Sequence, residues 1–589
     1  MNDPDGEIKG RYIWPLFLVV IFSQLALLSD PLVRAPQLDA RENLLWAERI
    51  ANGSVPAEPF YRALLYPLIL ALATPEASRP VAGAILGLLC HLIGSWLVWS
   101  IARVVWRERR LPLFAALLYL LNPASLFYAF QLLDVTFAVT LFLGALRLAL
   151  RPENRIGSFL FAGLLGGLAV LARPHFLPVL LVLPVAAAVM AERHRWRALI
   201  IWLPALLLLL GQGSLIQWRS GEFRILPWQG TYNLWAANKP GANGLYFKQV
   251  VDLSQRGNAS NPARVESVYL YEQAHPEESP PYSIDAMNAY WRGKFLNHLK
   301  ENPLEVAKLW FFKAYAIVNS YEQYNNLTFS FHKDRIPLLK YNPLNWGILI
   351  IFGSLGFLHL FRENRKAAFA LALLILAYAS TLILFYASAR FRLPLVPLAA
   401  VLVGGSLHWF DGLLRDRRRL GTTVVAVALL GGITFSSFAG VRQTDTYIQD
   451  RLLMANANAE LGRDAEAARW ARQVLKTSPD RSEAVTIYAL SYFNLRLVDA
   501  PRSEEFGTWD DQARWLQLPS TQDPATAAVF ACYLWHWDRQ DDATGIWRQI
   551  ASNHPDPTNL AIRILSVLDK DTDGLTPEDL VLKRLLEKN

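Results

Sequence analysis

Apolar residues in this chain collect into long runs; they do not alternate or keep to one face of a helix. A helix that crosses a bilayer takes about 20 of them. Runs near 12–29, 81–104, 111–129, 132–150, 156–172, 174–190, 198–216, 346–361, 367–387, 393–410 and 421–440 therefore read as eleven spans. The first follows Lys9 and Arg11 and ends at Ser29-Asp30-Pro31 without a small-residue cleavage site, so it reads as a retained span and not a signal peptide. Basic clusters come after even-numbered spans: Arg107/Arg109/Arg110, Arg151/Arg155, Arg193/Arg195/Arg197, Arg362/Arg365/Lys366 and Arg415/Arg417/Arg418/Arg419. A cytoplasmic N-terminus puts every one of them on the cytoplasmic side, as the positive-inside rule requires. The same parity places loops of about 30–80 and 217–345, and all that follows residue 440, on the opposite side.

After residue 440 the pattern changes, which divides the chain into a membrane domain, 1–440, and a tail, 441–589. Ala455, Gly462, Ala467 and Pro479 fit the small and turn positions of a tetratricopeptide unit, and Ala531, Ala543, Trp547 and Pro555 fit a second. The pairs 455/531, 467/543 and 479/555 are each 76 residues apart, two repeat lengths plus a small insertion, which predicts a degenerate middle repeat around 485–520. The expected tail is an all-α repeat domain, whose stacked helices either bind another chain or cap the membrane domain.

Composition agrees with the membrane class: 53% of the 589 residues are hydrophobic and 20 are Trp. The formal charge of +8 would suit a polyanion partner, but the basic residues sit between apolar runs, where they report topology; no nucleic-acid partner is expected. Cys90 and Cys532 are the only cysteines, too few for a disulfide framework or a cysteine metal site.

The candidate chemistry lies in the segments between spans. Pro36 and Gly53 punctuate a helix along the membrane surface, on which Asp39, Glu42, Asn43 and Trp46 share one face. A carboxylate there suits activation of an acceptor hydroxyl, though by itself it is accounted for more simply by the helix dipole. Arg34, Arg41, Arg49, Arg62 and Arg79 crowd the same loop against the charge bias of the others, which points to an anionic ligand or to pairing with Glu42, Glu48 and Glu58. Asp134 at the end of span four, Arg173 and His175 between spans five and six, and Arg390 and Arg392 between spans nine and ten are ionisable groups at one membrane level. In the second loop, Asn238 and Glu322 are further candidates for acceptor or loop contacts. Asp569-Lys570-Asp571-Thr572-Asp573-Gly574 begins like a calcium loop but has Leu580 where the bidentate acid belongs, so Thr576-Pro577 reads as a helix start.

Leu38-Asp39 opening the helix after span one, Pro59-Phe60-Tyr61-Arg62 through Tyr66-Pro67, Gly166-Gly167 through Arg173-Pro174, Gly230-Thr231-Tyr232-Asn233-Leu234-Trp235 with Asn238-Lys239-Pro240 and Gly244, and Arg390-Phe391-Arg392-Leu393-Pro394 occur in an order that resembles the GT-C superfamily. The resemblance is to bacterial membrane glycosyltransferases related to protein O-mannosyltransferases and the lipid A aminoarabinose transferase, and covers about residues 10–440. It implies a GT-C fold in a bacterial inner membrane, N-terminus cytoplasmic and C-terminus periplasmic. It also implies an inverting glycosyltransferase moving a sugar from a polyprenyl-phosphate donor to a lipid, glycan or protein acceptor. Asp39 would then be the catalytic base and Asp134 the second acidic residue, with Arg62, Arg173, Arg390 and Arg392 holding the donor phosphate. Glu42 and Trp46 join Asn238 and Glu322 as acceptor or loop candidates. Ala40 after Asp39 departs from the Asp-Glu pair of the mannosyltransferases. No cofactor is required by this scheme and no metal is indicated, though one branch of the superfamily uses a divalent metal.

Two other readings fit the topology. An O-antigen ligase or polymerase would use a lipid diphosphate donor with Arg292, His298 or His332, and a non-catalytic assembly or transport protein would use the tail to recruit partners. Transport would favour inverted repeats, and the membrane part shows no internal symmetry.

Overall fold

A computed structural model of the chain describes residues 22–73, 75–106, 108, 110–151, 155–251, 261–413, 417–437, 440, 447–479, 481–497, 524–536, 539–555, 559–568 and 575–586. Among them the regular structure is helical, with no strand beyond a single bridge between Asn325 and Leu327. Two compact units emerge, one of 1–28 and 38–443, the other of 29–37 and 444–589.

The larger unit begins, as described, at residue 22, so most of the expected first span lies outside the described residues. Its surface helix α1 runs Asp39–Ala51. Pro36 does not open it: Leu38 takes φ 52°, turning the chain so that Asp39 is the first helical residue, with Asp39 and Glu42 in the first turn where the helix dipole favours carboxylates. Gly53, at φ 66°, lies just past the end.

The apolar runs fold as α2 (Arg79–Val105), α3 (Arg110–Leu120), α4 (Pro123–Phe130), α5 (Asp134–Ala149), α6 (Ile156–Ala172), α7 (Leu177–Met190) and α8 (Trp202–Ser220). Between the two halves of the membrane part come α9 (Gly230–Ala236), α10 (Pro262–Ala274), α11 (Ile284–Glu301) and α12 (Pro303–Val318). Then follow α13 (Trp346–Glu363), α14 (Arg365–Leu384), α15 (Leu395–Leu413) and α16 (Arg417–Phe435). Among the described residues four helices are long and apolar enough to cross a membrane: Glu76–Val105, Arg195–Ser220, Trp346–Glu363 and Arg365–Leu384. They mark this as an α-helical membrane protein.

The single run expected at 111–129 is instead the pair α3 and α4, bent by 53°. The break has a local cause. The Asn122 side chain accepts from Ser125 N at 2.9 Å as an N-cap, and Pro123 occupies the first helical position, so a new helix starts where the run looked continuous. Close packing elsewhere depends on glycine: a Cβ on Gly356 of α13 would lie 1.8 Å from the Leu402 carbonyl oxygen of α15. The segment between α8 and α13 builds its own core on α1, joining Trp46, Tyr61, Trp228, Tyr232, Tyr271 and Trp291.

The smaller unit stacks α17 (Ile448–Glu460), α18 (Asp464–Leu475), α19 (Ser482–Leu497), α20 (Pro524–His536), α21 (Gln540–Asn553), α22 (Leu560–Leu568) and α23 (Pro577–Leu586), each packed on its neighbour in sequence. Ala455, Ala467, Ala531, Ala543 and Trp547 are fully buried in its core, and Gly462 turns α17 into α18 at φ 66°. Most of the expected middle repeat, and the acidic stretch 569–574, lie outside the described residues. A short helix, Pro31–Arg34, packs on α17 and buries Leu32 and Val33 in this unit.

Candidate functional site

Four arginines stood out in the sequence as candidates for an anion, and each is paired with one carboxylate. Arg390 Nη1 donates to Asp39 Oδ2 at 2.6 Å, Arg173 Nη1 to Asp134 Oδ1 at 2.8 Å, and Arg392 Nη2 lies 2.8 Å from Glu322 Oε2; Arg62 pairs with Glu42. Buried guanidinium groups need such partners, because an uncompensated charge away from water costs several kcal/mol, roughly 3–5 when one partner of a pair is removed.

Two of these pairs converge. α1 delivers Asp39 in its first turn and α5 delivers Asp134 in its own, where the helix dipole favours negative charge. Phe391 lies between their arginines: the Arg173 guanidinium is 4.8 Å from its ring centroid and that of Arg390 is 5.2 Å. His175 stacks on the same ring at 5.0 Å and 22°. Arg390 Nε is buried without a hydrogen-bond partner among the described residues, and Arg173 Nε and Nη2 make no well-aligned bond there, the Tyr378 hydroxyl lying beside that guanidinium. Guanidinium donors left over after pairing are unusual in a buried site and are the groups that would receive oxygens of an anion.

The carboxylates differ in access. The Asp39 side chain is 34% exposed and that of Asp134 25%, against 3% for Glu42. Burial pushes the Asp39 carboxyl up, but Arg390 and Arg62 outweigh it and hold it below the usual carboxylate range. Glu42 goes the other way: burial dominates over Arg62 and raises it. The Tyr61 hydroxyl donates to Glu42 and accepts from Trp46 Nε1 at 3.0 Å, with burial pushing Tyr61 up to about 12. Arg62 Nη2 also donates to Asn43 Oδ1 at 2.6 Å, and Asn43 Nδ2 donates to Leu132 O at 2.8 Å. Asn43 thus ties α1 to the chain just before Asp134.

The remaining candidates lie apart. Arg392 is tied to its own surroundings: its Nη1 donates to Asn319 O at 2.6 Å, and its guanidinium stacks 5.0 Å from the Trp346 ring. Asn238 meets no carboxylate; its side chain bonds to Lys313, Trp310 and the C-terminus of α14. His298 is buried beside Trp235 and Asn302, and His332 is buried and stacked on Phe127. Among the described residues no three His, Cys, Asp or Glu side chains gather as metal ligands. Phe391 and Lys313 were not singled out as site residues from the sequence. A lone lysine within Leu309-Trp310-Phe311-Phe312-Lys313-Ala314 is a legible signal for the second; nothing local marks the first.

No family model matches the chain. Over 73 residues, 12% of its length, it is 34% identical to GPI mannosyltransferase 2 of Chaetomium globosum, of which it spans 16%.

Proposed function

We propose that this protein is an inverting glycosyltransferase that moves a sugar from a polyprenyl-phosphate donor to an acceptor hydroxyl at the outer face of a bacterial inner membrane. What carries the reading is the pair of ion pairs, Asp39–Arg390 and Asp134–Arg173, meeting on Phe391 with guanidinium N–H groups to spare. The partial likeness to a mannosyltransferase supports the sugar-transfer class.

In this reading Arg173 and Arg390 hold the donor phosphate through the unused N–H groups, Arg62 keeps Glu42 and the α1 face in place, and Arg392 fixes the chain that carries Arg390. The acceptor oxygen attacks the anomeric carbon, the bond from that carbon to the phosphate oxygen breaks, and the electron pair leaves with polyprenyl phosphate. Asp39 takes the acceptor proton. Paired with Arg390, Asp39 is a weak base; a phosphate that competes for Arg390 restores its basicity, so donor binding and base activation are linked. The leaving phosphate is neutralised by fixed cations, and no step calls for a metal. Glu42 and Trp46 stay on the acceptor side as supports of the surrounding loop, while Glu322 holds Arg392 and Asn238 holds the end of α14. The eleven-span topology and a tetratricopeptide-like tail that selects an acceptor or protein partner complete the proposal.

The test is transfer from a panel of radiolabelled polyprenyl-phosphate sugars by membranes holding equal amounts of wild type or Asp39→Asn. Loss of a positioned base lowers the rate by about 10²–10⁴. Equal transfer by the variant refutes the assignment of Asp39, and no transfer from this panel, with transfer when diphosphate donors are supplied next, favours the ligase reading instead.

A further inference from the structure

Asn238 belongs to a stretch that reads as an acceptor loop in the sequence, yet its side chain is fully buried and spent on protein. All of its capacity is used: Nδ2 donates to Leu234 O at 2.8 Å and to Leu384 O at 2.7 Å, while Oδ1 accepts from Trp310 Nε1 at 2.9 Å and from Lys313 Nζ at 3.0 Å. Lys313 Nζ also donates to Phe385 O at 2.8 Å. Leu384 and Phe385 end α14, where carbonyls have no helical partner and a cation complements the dipole.

The chain beyond that point is pinned from the same side. Ala387 N donates to Gly244 O at 3.2 Å, and Ala389 N donates to Gln323 O at 3.1 Å, immediately before Arg390. Gly244 has φ 67°, and a Cβ there would lie 2.3 Å from the Lys313 side chain, so the lysine passes directly beneath the loop that receives Ala387. Lys313 is fully enclosed, and burial lowers its ammonium to about 7. A buried lysine with two acceptors has a structural duty: one of them, Phe385 O, lies five residues before Arg390, and the other, Asn238, itself bonds to the neighbouring Leu384 O.

We infer that Lys313 and Asn238 form a clasp that positions Arg390, holding residues 385–389 so that the guanidinium reaches Asp39 and the donor phosphate. Both are positioning residues. The phosphate part of this inference rests on the proposed function; the clasp itself does not.

Two measurements on the full-length protein in nanodiscs separate them. Hydrogen exchange is compared for wild type, Lys313→Met, Asn238→Ala and, as a control, Lys476→Met in the other unit. Faster exchange at 385–392 and 240–246 in the first two variants, with the control unchanged, is expected; unchanged exchange at 385–392 in folded Lys313→Met overturns the clasp. Binding of undecaprenyl phosphate is then compared for wild type, Lys313→Met, Arg390→Ala and the double variant. Lys313→Met should weaken it about tenfold, the size of one lost charge-assisted bond, and add little once Arg390 is gone. Additive losses overturn positioning through Arg390. If wild type and Arg390→Ala bind equally, or neither binds, the donor-phosphate reading falls, and exchange still decides the clasp.

Discussion

Glu42 is a carboxyl whose ionisation its surroundings disfavour. It is buried and accepts from Tyr61 and Arg62, yet burial outweighs them and raises its pKa. A carboxyl whose pKa is higher folded than unfolded holds its proton more tightly in the native state. The stability this contributes is present below the unfolded value and is lost as pH rises through the folded one. Glu42→Gln keeps the neutral form at every pH. The difference in melting temperature, variant minus wild type, should therefore grow as pH rises from about 4 to 7, measured by thermal unfolding in detergent. Asp39 is its opposite three residues earlier, held low by Arg390 and Arg62. One turn of helix thus presents one carboxylate kept ionised and one pushed towards neutrality, a separation of roles that side-chain type alone does not convey.

At the scale of elements, helix contacts divide glycines that matter from those that do not. Gly356 of α13 faces the α15 backbone with no room for a methyl group, whereas Gly432 of α16 has open space around the Cβ position. Gly356→Ala should destabilise by about 2 kcal/mol or more, as overpacking of a tight contact does. Gly432→Ala should be neutral or stabilise by up to about 1 kcal/mol through helix propensity. Thermal unfolding of the two variants side by side checks both. The helix ends show the same mixture of local and non-local causes. Gly53 announces a stop in the sequence, and the structure places it so, whereas Asn122 caps a helix start inside a run that read as one span. The start of α1 at Asp39 instead of Pro36 depends on the positive φ of Leu38, which no turn residue announces.

Across the whole molecule, the proposed topology makes a simple demand. With Cys90 and Cys532 replaced by Ala, a cysteine at Lys366 should react with a membrane-impermeant maleimide only after cells are opened, and one at Lys476 should react in intact cells; both positions are exposed. The reverse pattern, or equal labelling, removes the expected orientation. The smaller unit holds one element that sequence order hides: 29–37 belongs with 444–589, and Leu32 and Val33 are buried there. The residue after this segment is Leu38, and the next is the proposed base.

What the chain determined by itself follows from local rules. Exclusion of water from a bilayer forces long uniform apolar runs, and Pro, Asn and Gly set helix ends from within a turn or two, so the helices and their approximate limits are written in order along the sequence. The candidate charges were visible for the same reason, since ionisable groups stand out against apolar neighbours. Their partners were not. Arg390 finds Asp39 from 351 positions away, Arg173 finds Asp134 from 39, and Asn238 proves to serve Lys313 and the end of α14. Many carboxylates and arginines could pair without changing any local pattern, and only the packing of helices decides which charges share a low-dielectric space and which donors are left over for a ligand.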